Sequence, residues 1–360
     1  MSVKGPTSKT DVLSDYDAHM TRGTSFLLAS FFLIVFFVVV AVGLGASRMP
    51  FASVARALFE RSGDTASRIV WNIRLPRALG AVLAGCAISV AGVSMQSILK
   101  NPLASPYTLG TSHAAAFGAA FAIIFLHVGS MQSTSSDAVI INNPYAVTLL
   151  SFLFCNLATA VIVLISRLRA ATPETLVLAG VAMGSLFSAA SSGLQYFADD
   201  VELSAVVFWT FGDLGRISWE RLAIISVVVV LSCVYFMRNS WNYQIMDAGD
   251  ETAKSLGINV ERKRIEGMVV ASLVTSVVVS FVGIIGFIGL VVPHIVRRII
   301  GGYEPHLIAG SVLFGGLFLL ISDIVARTII SPTVLPVGVL TSFLGAPLFI
   351  YLLIKGRQYW

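Results

Sequence analysis

Apolar runs long enough to cross a lipid bilayer recur along the whole chain, and this repetition limits the fold more than any single motif. About 17–25 residues are needed for one helical crossing. Such runs lie at 25–46, 78–98, 109–128, 145–166, 175–197, 221–237, 265–283, 307–328 and 335–354. A shorter one, 286–297, holds Gly286, Gly289 and Pro293, and reads as a broken helix buried among the others, where freed backbone groups find partners. Charged residues make up 12% of the chain, about half the share usual in soluble domains. The fold class read from this is an all-α membrane protein, a transmembrane bundle of ten spans. A polar tail, 1–24, precedes a single membrane domain, 25–357. The first apolar run has no small-residue cleavage site and is read as a retained span.

An even number of crossings puts both termini on one side. Of the 24 Lys and Arg, nine fall in segments on the opposite side: Arg48, Arg56, Arg61, Arg68, Arg74, Arg77, Arg216, Arg221 and Arg327. The remaining fifteen lie on the side of the termini, so the positive-inside bias predicts cytoplasmic N- and C-termini. Six of the nine outer charges sit in the one segment 46–77, which ends in the motif IRLPRALG at 73–80. Pro76 suits a helix first turn, where a missing N–H costs little. The basic residues explain topology and call for no nucleic acid.

The longest inner loop, 238–264, contains DAGDETAKSLGINVERKR. Asp250 can cap a short helix there, Ala253 and Leu256 fall on one face, and Gly257 is placed as its stop. This element, about 246–260, reads either as a solvated connection or as a dock for a cytoplasmic partner. No GxxxxGK[ST] loop exists in the chain, so an ATP site of that kind must lie on another polypeptide. Cys86, Cys155 and Cys233 lie in apolar runs without disulfide or zinc spacing, and the histidines form no ligand pattern. No metal site, cofactor or catalytic set is predicted. Asp323 stands four residues before Arg327, a spacing that allows an ion pair along one helix; an intramembrane acid is otherwise a candidate proton relay.

Six stretches then carry a resemblance: RLPRALGAVLAGCAISVAGVSMQSILKNPLASPYTLG, LVLAGVAMGSLFSA, GDETAKSLGINVERKR, GIIGFIGLVVPHIVRRIIG, LLISDIVARTI and LPVGVLTSFLGAPLFIYLL. In this order the chain resembles the permease subunits of bacterial ABC importers for iron–siderophores, haem and cobalamin, the FecCD or BtuC-like family. The resemblance covers about 70–354. It implies a ten-span bundle of the type II importer permease, in the cytoplasmic (inner) membrane of a bacterium or archaeon. It also implies a second permease subunit, identical or different, two cytoplasmic ATPases that bind the ATP, and an extracytoplasmic binding protein. ATPase coupling would fall to Gly249, Asp250, Glu251, Ala253, Leu256 and Gly257. Docking of the binding protein would fall to Arg74, Arg77 and Arg327 at the outer rim. The small residues of the fifth span, among them Gly184, Ser185, Ser188 and Ser192, would line the translocation path; close helix packing is the other reading of such residues. The expected cargo is an iron chelate, a ferric siderophore first, with haem or cobalamin as the alternative. An ion-coupled secondary transporter would need charged residues inside the spans, and these are almost absent away from the span ends.

Overall fold

In the computed structural model, the described residues are 9–45, 49–60, 64–131, 139–141, 143–168, 172–331 and 333–355. Helix α1 (Lys9–Gly43) is followed by two short helices, α2 (Phe51–Phe59) and α3 (Thr65–Ile69). A π-turn, Val70–Arg74, leads from α3 without a break into α4 (Leu75–Ile98). Pro76 occupies the first turn of α4, as its missing N–H predicts.

Helix α4 is the axis of the bundle. In its most apolar window 83% of residues are buried, against 17% for α1, which presents Phe31, Phe32, Phe36 and Val39 outward as a lipid-facing helix would. The reason is side-chain size. Gly85 lies against the backbone of Gly315, and Gly92 against that of Gly289, so that a Cβ at either position would collide with a carbonyl oxygen. Small residues allow this approach where lipid gives no hydrophobic drive for helices to associate.

A 3₁₀ turn, Pro106–Leu109, precedes α5 (Thr111–Phe125). Strands β1 (Gly129–Met131) and β2 (Val139–Ile141) pair antiparallel, with Gly129 opposite Ile141. Helices α6 (Pro144–Leu168) and α7 (Pro173–Tyr196) then pack on α5. Helix α8 (Asp200–Thr210) begins with a reciprocal cap between Asp199 and Glu202. A 3₁₀ turn, Leu214–Arg216, leads to α9 (Trp219–Asp247). The short α10 (Asp250–Ser255) precedes α11 (Val260–Val282), α12 (Ile288–Ile300), α13 (Glu304–Thr328) and α14 (Val337–Lys355). Helices α9, α11, α12, α13 and α1 surround α4.

Each of the ten apolar runs corresponds to a helix. Among the described residues, seven helices are long and apolar enough to cross a membrane, while α5 and the apolar part of α14 are shorter. Helix α12 has 13 residues and starts after a non-helical stretch that includes Gly283 (φ 80°) and Phe287 (φ 66°). Helix α9 departs from expectation: it runs ten residues past the apolar run 221–237. Phe236, Ser240, Tyr243 and Met246 are buried at helical spacing there, an amphipathic continuation that packs where the chain turns polar. The predicted loop shrinks accordingly to the short segments around α10.

Candidate translocation site

One face of α7 is left uncovered. It borders a groove of about 650 Å³ lined by Tyr107, Thr108, His113, Gly180, Gly184, Ser185, Ser188 and Ser192, among others. Ser185, Ser188 and Ser192 are exposed and Gly184 is buried, so the four predicted path residues share one region with different roles. Gly180 and Gly184 let α7 sit close to the backbone at Thr108–Gly110. The three serines leave width and offer hydroxyls. Tyr107 spends its hydroxyl on the carbonyl of Ile285, 2.9 Å away, fixing the 3₁₀ turn to the irregular stretch before α12. Among the described residues, the groove's lining holds no Asp, Glu, Lys or Arg. Such a surface can pass a bulky polar solute without holding it by charge.

The N-terminal end of α4 is strongly charged. Arg77 reaches Asp323 on α13 with Nε and Nη2, each 2.9 Å from Oδ1, and lies 3.7 Å from Asp213. Arg327 meets the other oxygen of Asp323 at 2.9 Å, the pair along one helix that the spacing predicts. Arg74 donates to the carbonyls of Val42 (2.9 Å) and Gly43 (3.0 Å), and Arg327 to those of Leu44 (3.2 Å) and Ala41 (3.3 Å). Ala41, Val42 and Gly43 carry the last carbonyls of α1, which lack partners within the helix and form the negative pole of its dipole, and Leu44 follows directly. The three arginines therefore converge, but inward. Arg74, Arg77 and Arg327 are 3%, 9% and 5% exposed, where a contact reaching outward from a rim had been expected.

At the opposite end of α4, about 36 Å along its axis at 1.5 Å per residue, Asp250 is differently used than expected. Gly249, not Asp250, holds the cap position of α10, and no side chain caps it. The Asp250 carboxylate instead meets Lys100 Nζ at 2.7 Å and Arg264 Nη2 at 2.9 Å. Burial works against its charge, but the bonds from Lys100 and Arg264 outweigh this and hold the carboxyl below the usual range. Ala253 and Leu256 do not share a buried face: Ala253 is fully buried and Leu256 is 64% exposed. Gly257 follows the helix at φ 83°, the left-handed stop its sequence position suggests. Glu251 is exposed. In the sequence Lys100 and Arg264 are two of the fifteen inner basic residues; their pairing with Asp250 joins residues up to 150 positions apart and leaves no local signal. The three cysteines are free, with Cys86 and Cys155 buried. Among the described residues, no group of three or more His, Cys, Asp or Glu could hold a metal ion.

Residues 33–355 match the model of the FecCD transport family. The chain belongs to that family. An ABC transporter permease protein of Methanocaldococcus jannaschii is 53% identical over 88% of this chain and 90% of its own length. The hemin transport system permease of Yersinia pestis is 35% identical over 91% of this chain and 95% of its own. Other relatives are named for iron chelatin transport, in Helicobacter pylori, and for vitamin B12 import, in Vibrio cholerae. A solved structure described as a metal-chelate type ABC transporter in an inward-facing conformation superposes with a TM-score of 0.79 at 28% identity, covering 92% of this chain and 99% of that one. This FecCD chain is thus an ABC importer permease, an integral membrane protein and not an enzyme.

Proposed function

We propose that this FecCD chain carries a ferric siderophore into the cytoplasm, as one half of a permease pair with ten crossings per chain and both termini cytoplasmic. The single observation behind the cargo is the α7 groove: Ser185, Ser188 and Ser192 offer neutral hydroxyls to a polar, oxygen-rich chelate, and no fixed charge would trap it. In this reading α10 docks in the ATPase through exposed Glu251 and Leu256, and ATP binding moves α10. A soluble binding protein lands at the other end of the bundle, on the rim braced by Arg74, Arg77 and Arg327. With their guanidinium groups turned inward, these arginines set the shape of the rim and the pull of its positive charge.

Haem is the second reading. It is favoured by His113, an exposed imidazole in the groove without a hydrogen-bond partner among the described residues, and by the name of the Yersinia relative. Uptake by proteoliposomes holding the permease, its ATPase and its cognate binding protein decides between them. Ferric siderophore uptake in preference to haem and cobalamin is the expected result. Transport of haem or cobalamin with none of any ferric siderophore would overturn the proposal.

A further inference from the structure

We propose that Asp250 faces into this chain as a clamp, joining α10 to the end of α4, so that α4 carries the displacement of α10 through the depth of the bundle. The inference rests on the reading of α10 as the ATPase dock and assigns the next step after it.

Asp250 is bound from two sides. Lys100 lies just past the last turn of α4, in a left-handed conformation (φ 46°) uncommon for a residue with a Cβ, and that turn aims its ammonium at Asp250 Oδ1. Arg264 on α11 is buried; its Nη2 holds Asp250 Oδ2 while its Nε donates to the carbonyl of Ile98, 3.1 Å away, at the end of α4. One guanidinium thus spans the N-terminus of α10 and the C-terminus of α4. Each end favours the charge it receives, since acids suit a helix start and cations a helix finish.

Beyond the clamp, α4 cannot shift alone. Gly92 touches the backbone of Gly289 on α12, and Gly85 that of Gly315 on α13. At its far end Arg77 is locked to Asp323 on α13, and Arg327 of α13 holds the carbonyls ending α1. Helices α1, α4, α12 and α13 therefore form one packed unit, with α10 fastened to its base by ion pairs. The α7 groove belongs to the packing group α5, α6 and α7, which meets this unit through α11, packed on both α4 and α6, and through the hydrogen bond from Tyr107 to Ile285. A pull on α10 displaces α4 and, through α11 and the Tyr107 bond, reaches the helices that border the groove and changes its width.

Asp250 is on this account a positioning residue, and the test reads coupling. The permease is purified and reconstituted with its ATPase and binding protein, and uptake of ferric siderophore is divided by ATP hydrolysed. Asp250→Asn should leave assembly and hydrolysis in place and lower uptake per ATP about tenfold, the scale of one lost charge-assisted hydrogen bond. Asp250→Glu should restore most of the ratio. Lys100→Gln, which leaves the surface of α10 untouched, should lower it less, because Arg264 still holds the carboxylate, and the double variant should fall no further than Asp250→Asn alone, the signature of coupled sites. An Asp250→Asn complex with the wild-type ratio overturns the proposal. Should Asp250→Asn fail to assemble, Lys100→Gln decides: a lowered ratio supports the clamp and a wild-type ratio overturns it. Wild-type uptake that proceeds without the ATPase is a separate outcome and overturns the reading of α10 itself.

Discussion

Replacing Asp323 by asparagine keeps the shape of the side chain and removes its charge. The aspartate is fully buried between two guanidinium groups whose side chains are 11% (Arg77) and 6% (Arg327) exposed. Breaking a buried ion pair by removing one partner costs about 3–5 kcal/mol, because the remaining charge has no compensation. Arg327 keeps the carbonyl acceptors of Ala41 and Leu44 at the end of α1, and asparagine can still accept from Arg77, so the lower end, about 3 kcal/mol, is expected here. Unfolding of the purified chain by SDS in mixed micelles measures the loss, and a thiol-reactive dye follows it through the buried Cys86 and Cys155. Glu266→Gln is the control. Glu266 pairs with Arg262 at 2.7 Å and with Lys263 at 3.2 Å, but all three side chains reach solvent, Arg262 at 74% exposed, and solvent-exposed pairs contribute at most about 1 kcal/mol each. Equal losses for Asp323→Asn and Glu266→Gln would refute the claim that the arginine cluster works as a buried brace.

Gly92→Ala should destabilise by about 1–3 kcal/mol in the same titration, as overpacking does, because its Cβ collides with the carbonyl of Gly289; Gly193→Ala, with nothing within 4 Å of its Cβ, should not destabilise. Ser188→Trp fills the groove on α7 and should stop uptake while ATP hydrolysis by the assembled complex continues; full uptake would move the path elsewhere. The pH response of α10 follows from Asp250. Its carboxyl titrates below the unfolded value of about 3.9, so the stabilisation it gives is complete above that value and is lost only as pH falls through the lower folded one. Hydrogen-exchange protection of α10, corrected for intrinsic rate, should stay level from pH 8 to 5; a loss between pH 6 and 5 would contradict the Asp250 pairing.

The hydrophobic runs made most of the bundle legible, because burial in lipid demands continuous apolar length. α6, α7 and α13 follow it directly, whereas α1 begins at Lys9, sixteen residues before its apolar run and within the polar segment 1–24. The same criterion failed at α9, where length stopped at 237 but helical spacing of Phe236, Ser240, Tyr243 and Met246 continued the helix against its neighbours. Residue identity gave Arg74, Arg77, Arg327 and Asp250 as special positions. Their partners were a different matter. Asp323 was visible for Arg327, four residues away on one helix, yet not for Arg77, 246 residues away. The direction in which Arg74 points depends on where α1 ends, and the use of Asp250 depends on Lys100 and Arg264 arriving from two other elements. Such choices are made by tertiary packing, which leaves no periodic trace in the chain.

The central claim is that ATP hydrolysed on a partner subunit drives a chelate through this chain. The most direct measurement loads proteoliposomes with the reconstituted permease and ATPase, supplies ferric siderophore on its binding protein outside, and compares uptake with ATP, with no ATP, and with an imposed proton or sodium gradient. Accumulation only with hydrolysable ATP and the ATPase present is the predicted result. Accumulation that follows an ion gradient without the ATPase would contradict it.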